Sequence, residues 1–142
     1  MKVAIGCDHG GYELKKVLYK ELKEKGYDIT DFGCDSTDSC DYPAYARKVA
    51  ESVATGDADR GIVICTTGIG VSIVANKVKG VRCALCSDVL SAELTRLHND
   101  ANVLALGGGI VGPNLGLAIA ETFLKTEFSQ EEKHVRRIAA IE

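Results

Sequence analysis

The amino-acid sequence predicts a Rossmann-like α/β fold: a five-stranded parallel sheet in a three-layer α/β/α arrangement, with a further helix at the C-terminus. Two observations support this fold class. Short β-branched runs alternate with segments whose apolar residues recur at helical spacing. Such alternation gives a parallel sheet with helices on both faces. A chain of 142 residues has room for one domain of this kind, which we expect to span residues 1–142.

The first half of the chain predicts two strands and two helices. A short buried strand at 2–6 precedes Gly10 and Gly11, which permit a close turn. A helix is expected at 12–25, because its apolar residues recur at helical spacing and Gly26 follows as a stop signal. A second strand is expected at 27–32, followed by a polar loop over 33–42. Pro43 suits the first turn of a helix that runs to about residue 55.

The second half predicts three more strands. An apolar β-branched run at 62–64 forms the central strand, which ends at Cys65, and a helix is expected at 71–78. Further strands are expected at 81–85 and 102–106. Between them, Ser87 or Asp88 caps a helix that carries Leu90, Leu94 and Leu97 on one face and ends near residue 98. Helices at 113–125 and 131–141 follow.

Composition excludes several classes of protein. A net charge of −3 argues against a surface that binds nucleic acid, and no apolar run is long enough to cross a membrane. The chain starts directly with a strand, so no signal peptide is visible and we expect a cytoplasmic protein. The six cysteines are then expected to stay reduced. Cys83 and Cys86 have the spacing of a metal or redox pair, but we interpret them as core residues.

The segment from Cys65 to Gly70 is the strongest candidate for a functional site. It follows the central strand as a Thr-Thr-Gly-Ile-Gly loop and precedes a helix. Helix N-terminal N–H groups favour an anion or a developing oxyanion and lower the pKa of a nearby thiol, which makes Cys65 a candidate proton acceptor. The alternative is that Cys65 only packs, as most cysteines on buried strands do. Neither glycine-rich nucleotide fingerprint is satisfied here.

Fold rules indicate which other side chains lie near Cys65. Ligands bind at the carboxyl edge of open α/β sheets. We expect that edge to bring Asp8 and His9 together with Cys65 and Thr67, and also with the His98-Asn99 pair. These residues make a set suited to proton transfer rather than a metal site, because the zinc pattern needs closely spaced ligands. No cofactor is expected.

Four motifs follow one another along the chain: Gly6-Cys-Asp-His-Gly-Gly-Tyr12, Asp41-Tyr-Pro43, Ile64-Cys-Thr-Thr-Gly-Ile-Gly-Val-Ser-Ile-Val-Ala-Asn-Lys77 and His98-Asn-Asp-Ala-Asn-Val-Leu-Ala105. Together they resemble the ribose-5-phosphate isomerase B family, which includes galactose-6-phosphate isomerase subunits and allose-6-phosphate isomerases. The resemblance covers nearly the whole chain in order. The resemblance implies a metal-independent aldose–ketose isomerase of the pentose phosphate pathway that interconverts ribose 5-phosphate and ribulose 5-phosphate through a cis-enediolate.

The resemblance also implies roles for individual residues. Cys65 is the expected base, because Val71 stands where some relatives carry a glutamate. Asp8, Thr67 and His98 are expected to assist ring opening and to hold hydroxyls. The expected substrate-binding residues are His9, Tyr42, Thr66, Gly68, Ile69, Gly70, Ser72 and Asn99. Family enzymes are dimers or dimers of dimers, in which His98 and Asn99 reach the site of the neighbouring subunit.

The expected phosphate site departs from the family pattern. The expected ligands are His9, Lys133, Arg136 and Arg137. Gly109 stands where the family has an arginine, Lys133 replaces the first arginine of the tail motif, and Thr66 replaces a glycine. Lysine does not reproduce the bidentate recognition that arginine gives.

These departures leave three functions open. Ribose 5-phosphate leads as substrate. The second possibility is another aldose, namely allose 6-phosphate, galactose 6-phosphate or an unphosphorylated sugar. The third is a non-catalytic subunit that binds a sugar phosphate, against which the joint presence of Cys65, Thr67, Asp8 and His98 argues. A nucleotide-binding regulator is disfavoured by the missing fingerprint.

Overall fold

The computed structural model describes all 142 residues and confirms the predicted fold class. Five parallel strands lie in the order β2-β1-β3-β5-β4. They are β1 (Lys2–Cys7), β2 (Asp28–Asp31), β3 (Arg60–Cys65), β4 (Cys83–Leu85) and β5 (Val103–Gly107). The helices are α1 (Tyr12–Glu24), α2 (Tyr42–Ala54), α3 (Ile69–Ala75), α4 (Val89–Asn99), α5 (Pro113–Lys125) and α6 (Glu132–Ala139). A single 3-10 turn at His9–Gly11 precedes α1.

Two hydrophobic clusters fill the space between the sheet and its helices. Successive strand residues point to opposite faces of the sheet, so Ile62 and Ile64 join one cluster while Val63 and Cys65 join the other. The first cluster packs against α1, α4 and α5, and the second against α2 and α3. The sheet is therefore covered on both faces, as the apolar strand runs predict.

The boundaries of most elements differ from the sequence prediction by up to three residues. Helix α3 begins at Ile69, two residues earlier than expected, because Gly68 adopts a φ of 78° and serves as its N-cap. Strand β4 spans only Cys83–Leu85 instead of 81–85. It starts late because the chain just before it is held by a side chain, as the Arg82 N–H donates to Oδ1 of Asn102 (2.9 Å).

Helix α4 has the predicted cap but not the expected buried face. Oδ1 of Asp88 accepts a hydrogen bond from the Ser91 N–H (2.7 Å). The leucine stripe is only partly covered, however, since Leu94 and Leu97 are half-buried and Leu90 is 60% exposed. The residues of α4 that are buried are Ala92 and Arg96. Arg96 satisfies its guanidinium by donating to the Thr126 carbonyl (3.0 Å) and to Oδ1 of Asp100 (2.8 Å).

The crevice for a ligand follows from the topology. Helix α1 leaves the carboxyl end of β1 toward one face of the sheet, whereas α3 leaves the adjacent strand β3 toward the other face. A crevice opens where neighbouring strands connect to opposite faces. Asp8 directly follows β1, and Cys65 is the last residue of β3. No helix has both the length and the apolar character needed to cross a membrane.

Candidate active site

A cavity of about 470 Å³ lies at the carboxyl ends of β1 and β3. Its lining includes six residues that the sequence predicted for the site: Asp8, Tyr42, Cys65, Thr66, Thr67 and Gly70. Ile69, also predicted, and Ile73 complete the lining. The expectation that the sheet edge brings Asp8, Cys65 and Thr67 together is therefore confirmed.

Cys65 is held by the loop that follows it. Its side chain is nearly buried, with 5% of the residue exposed, and it faces the cavity. The Gly68 N–H donates a hydrogen bond to the Cys65 Sγ (3.1 Å). This contact fixes the position of the sulfur on the wall of the cavity.

Two glycines allow the loop to approach its neighbours closely. Gly68 has a positive φ, and a Cβ at this residue would lie 2.8 Å from the backbone carbonyl carbon of Leu106. A Cβ at Gly70 would lie 2.7 Å from the Tyr42 ring. Gly70 thereby lets Tyr42 lie directly against the start of α3, so Tyr42 forms one wall of the cavity.

Asp8 and His9 form the second side of the site. Oδ1 of Asp8 accepts hydrogen bonds from the Gly10 N–H (2.9 Å) and the Gly11 N–H (3.2 Å). Oδ2 lies 4.0 Å from Nδ1 of His9. The His9 Nδ1 accepts a hydrogen bond from the Cys40 N–H (3.2 Å), which leaves the proton of a neutral ring on Nε2. His9 is thus set to donate from Nε2.

The hydroxyl residues of the loop have different surroundings. Thr67 is exposed, and its Oγ1 accepts a hydrogen bond from the Ile69 N–H (3.2 Å). Ser72, predicted to bind substrate, is buried and donates to the carbonyl of Ile69 (2.7 Å). Ser72 does not line the cavity. Its hydroxyl instead stabilises the first turn of α3.

Thr66 occupies a narrow crevice between two glycines. A Cβ at Gly10 would lie 2.0 Å from Oγ1 of Thr66, and a Cβ at Gly109 would lie 3.0 Å from its Cγ2. The Thr66 side chain therefore fits only because both neighbours lack a side chain. The replacements at positions 66 and 109 noted in the sequence are in contact in the structure.

His98 and Asn99 do not meet Cys65 within one chain, so the expectation that one sheet edge collects them is wrong. They lie at the C-terminus of α4, where Nε of Arg82 donates to the Asn99 carbonyl (2.9 Å). Arg82 precedes β4, so this position is the amino edge of the sheet. Cys65 pairs with Gly107, the last residue of β5, at the other edge. Four strand residues, about 13 Å, separate the two edges.

The basic residues of the C-terminal helix lie with His98. The imidazole rings of His98 and His134 stack, with centroids 4.4 Å apart. Lys133 pairs with Glu131 (3.1 Å), and Arg136 pairs with Glu132 (2.9 Å). Of the predicted phosphate ligands, only His9 is therefore near Cys65, and Lys133, Arg136 and Arg137 are on α6.

Cys83 and Cys86 have thiols that stay protonated. Burial raises the pKa of Cys83 to about 12 and, helped by the Asp88 carboxylate, that of Cys86 to about 11. Cys86 belongs to the first hydrophobic cluster and Cys83 packs against the second, which fits a packing role. No group of three or more His, Cys, Asp or Glu side chains is arranged to hold a metal ion.

An exposed apolar patch beside the cavity is the feature that sequence reasoning missed. Ile69, Leu85 and Ile110 line one groove, and Ile73 joins Ile69 in the wall of the cavity. Val89 and Leu90 begin α4, shortly after Leu85, and all six side chains are more than a third exposed. The leucine spacing of α4 was a signal for part of it, since an apolar stripe covers either a core or a partner. The patch places an apolar surface next to the open side of the site.

Comparison with known proteins decides the family. The ribose/galactose isomerase family matches residues 3–141. The chain belongs to this family. Among solved structures, ribose-5-phosphate isomerase B of Clostridium thermocellum is 51% identical, with a TM-score of 0.97 over 99% of this chain and 95% of that one. This ribose/galactose isomerase is thus an aldose–ketose isomerase of the ribose-5-phosphate isomerase type.

Two further relatives are named for different sugar phosphates. Ribose-5-phosphate isomerase B of Escherichia coli is 45% identical over 140 residues, covering 99% of this chain and 93% of the relative. Galactose-6-phosphate isomerase subunit LacB of Clostridium acetobutylicum is 38% identical over 142 residues, covering 100% of this chain and 82% of the relative. The family is therefore shown, and it contains enzymes for more than one sugar phosphate.

Proposed function

We propose that this protein interconverts ribose 5-phosphate and ribulose 5-phosphate through a cis-enediolate. The observation that carries this proposal is Cys65, a nearly buried thiol that faces the cavity and accepts a hydrogen bond from the Gly68 N–H. In the forward reaction the Cys65 thiolate removes the proton from C2, and the negative charge moves to the C1 oxygen, where the loop N–H groups stabilise it. The proton of the C2 hydroxyl then passes to the C1 oxygen, and the Cys65 thiol returns a proton to C1, which leaves the ketone at C2.

The other residues of the cavity bind and orient the sugar. Asp8 is a hydroxyl acceptor whose position is fixed by the Gly10 and Gly11 N–H groups. Tyr42 and Thr67 line the cavity on either side of the thiol. His9 is placed to donate its Nε2 proton to a phosphate oxygen.

A second copy of the chain is proposed to complete the site. His98, Asn99 and the basic side chains of α6 lie on the opposite edge of the sheet from their own Cys65. In a symmetric pair, each copy's His98 can enter the neighbour's cavity, where it assists ring opening. Lys133, Arg136 and Arg137 then bind the phosphate together with the neighbour's His9. The exposed apolar patch beside the cavity supports this assembly, because monomers rarely expose contiguous apolar surface.

Galactose 6-phosphate is the second candidate substrate. It is favoured by the 38% identity to a galactose-6-phosphate isomerase subunit and by the absence of an arginine at Gly109. A larger sugar also needs a different position for the phosphate. The wild-type protein should therefore be assayed with ribose 5-phosphate, allose 6-phosphate, galactose 6-phosphate and the free sugars.

The assay should be run in deuterium oxide with EDTA. We expect turnover of ribose 5-phosphate with EDTA present, and any solvent deuterium that enters the product should lie at C1, where the base returns the proton. Cys65→Ala should lower kcat by at least about 100-fold, the scale of a general base. Thr55→Ala is the matched control, since its exposed hydroxyl lies at the end of α2, remote from the cavity. Deuterium at a carbon other than C1, or an active Cys65→Ala variant, would contradict the proposed mechanism.

A further inference from the structure

The C-terminal helix α6 is anchored to the body of the protein through one buried residue. Among the eight residues of α6, only His134 is buried, with 7% exposed. Its ring lies on His98 at the end of α4, with a centroid distance of 4.4 Å and an interplanar angle of 19°. The segment before α6 is tied to the same place, since the Ser129 N–H donates to the Leu97 carbonyl (3.3 Å).

The stack determines the orientation of both rings. Neither His98 nor His134 makes a side-chain hydrogen bond within the chain, whereas His9 has its Nδ1 fixed by Cys40. A histidine that transfers a proton is normally oriented by a hydrogen bond on its second nitrogen. Here the stacked ring of His134 orients His98 instead. The ring nitrogens of His98 make no hydrogen bond within the chain and are therefore available to another molecule.

The surroundings of His134 disfavour a positive charge on its ring. Burial, followed by the positive charge of a protonated His98, lowers the pKa of His134. Lys133 and Arg137 of α6 act in the same direction, and Glu131 opposes them. A positive charge on one ring therefore opposes a positive charge on the other, because two stacked imidazolium ions repel each other.

We propose that His134 is a positioning residue for ring opening, which holds the His98 imidazole and the basic side chains of α6 as one unit. This inference rests on the proposed function, in which His98 opens the sugar ring in the neighbour's cavity. Lys133 and Arg137 flank His134 on α6, so undocking α6 would displace the proposed phosphate ligands together with the support of His98. His134 itself does not touch the substrate.

The two directions of the reaction separate ring opening from proton transfer. Ribose 5-phosphate closes a ring through its C4 hydroxyl, so the forward reaction needs ring opening. Ribulose 5-phosphate stays open, because its C5 oxygen carries the phosphate. A residue that supports ring opening should therefore matter for ribose 5-phosphate more than for ribulose 5-phosphate.

The test compares three variants of the full-length protein in both directions. His134→Ala should lower kcat with ribose 5-phosphate about 10- to 100-fold, the scale of a displaced catalytic group, with a much smaller loss from ribulose 5-phosphate. His134→Phe keeps a flat ring on His98 and should retain the wild-type ratio between the two directions. Val135→Ala, a change at the exposed neighbour on the same helix, controls for loss of helical stability.

Proton NMR provides a readout that does not depend on turnover. The chain contains three histidines, so their ring signals can be assigned by substitution. His134→Ala should shift the His98 signal, which loses the ring current of its neighbour, and should leave the His9 signal in place. The positioning role is overturned if the His98 signal does not move, or if His134→Ala lowers kcat equally with ribose 5-phosphate and with ribulose 5-phosphate. The proposed function is judged separately, on wild-type turnover alone.

Discussion

Thr66 and Gly109 share a crevice in which a change at one residue affects the other. A Cβ at Gly109 would lie 3.0 Å from Cγ2 of Thr66 and 3.1 Å from its carbonyl oxygen. An arginine placed at position 109 alone is therefore pressed against Thr66 and cannot reach freely toward a phosphate. The same arginine has more room when position 66 is glycine.

A double-mutant cycle measures this coupling. We expect Gly109→Arg to lower the KM for ribose 5-phosphate more in the Thr66→Gly background than in the wild type, with a coupling of about 1 kcal/mol or more. The gain comes from a charge-assisted hydrogen bond to phosphate, about 1.5–3 kcal/mol on the usual scale. Strictly additive effects would show that the two positions do not act as a pair.

Position 68 requires glycine for two reasons: its φ is positive, and a Cβ there would collide with Leu106. Comparison with Gly26, which has only the positive φ, separates the two effects. Gly26 has a similar positive φ of 93°, but a Cβ there would meet nothing within 4 Å. Gly26→Ala should therefore lower the free energy of unfolding by only the left-handed strain, about 1–2 kcal/mol. Gly68→Ala adds the contact with Leu106 and displaces the N–H that binds Cys65, so it should cost more stability and also activity. Equal losses in urea denaturation would contradict this account.

Much of the site at the residue scale follows from the sequence. Residues at the C-terminal end of a parallel strand, or just after it, lie at the carboxyl edge of the sheet. That rule places Asp8, Cys65 and Thr67 correctly. It fails for Ser72, whose hydroxyl turns back to the Ile69 carbonyl. A side-chain rotamer of this kind depends on the local backbone, which a residue pattern does not specify.

At the scale of elements, α1 is fixed to the edge strand β2 by a buried lysine. Nζ of Lys15 donates to Oδ1 of Asp31 (2.8 Å) and to the Cys34 carbonyl (2.5 Å). The Lys15 side chain is 2% exposed, whereas Asp31 is 30% exposed. The ion pair therefore holds the start of the loop that leads to Cys40, whose N–H donates to Nδ1 of His9.

Breaking this ion pair should destabilise the protein. Asp31→Ala leaves the buried ammonium group of Lys15 without its carboxylate partner and should lower the free energy of unfolding by about 2–3 kcal/mol. This is less than the usual cost of breaking a buried ion pair, because Asp31 is partly solvated. Glu13→Ala is the control, since it breaks the pair with Lys16, both of whose side chains are at least half exposed. The control should change stability by less than about 1 kcal/mol. Equal effects in urea denaturation would contradict the assigned role.

The docking of α6 should weaken in acid. Because burial and the positive charge of His98 lower the pKa of His134, the undocked state binds more protons at mildly acidic pH. The stabilisation is complete above the ordinary histidine pKa and is lost as the pH falls through the lowered value. Hydrogen exchange of α6 amides, corrected for intrinsic rates, should show this loss between about pH 8 and pH 5. His134→Phe should flatten the dependence, and an unchanged profile in that variant would contradict it.

The leucine stripe of α4 shows what periodicity can establish about an element. The spacing of Leu90, Leu94 and Leu97 identifies one apolar face, but not whether the core or another molecule covers it. In the structure Ala92 and Arg96 face inward, and Leu90 is 60% exposed. The small side chain of Ala92 allows α4 to lie close to the sheet. Which face of the helix is buried therefore depends on the packing of the whole molecule.

At the scale of the whole molecule, the proposed catalytic groups are divided between the two edges of the sheet. A crossover helix runs antiparallel to its strands, so the end of α4 must lie at the amino edge of β5. This rule could have placed His98 and Asn99 correctly from the sequence, because it needs only the order of the elements. The position of the partner cannot be predicted in that way, since it depends on the shape of the exposed patch.

The central claim is that Cys65 of one copy and His98 of another form one isomerase site. Mixing two inactive variants, Cys65→Ala and His98→Asn, under conditions that allow the copies to exchange tests it most directly. In a symmetric dimer each mixed pair contains one intact site, so the mixture should regain about one quarter of the wild-type rate with ribose 5-phosphate. A mixture that exchanges copies but stays as inactive as either variant alone would contradict the claim.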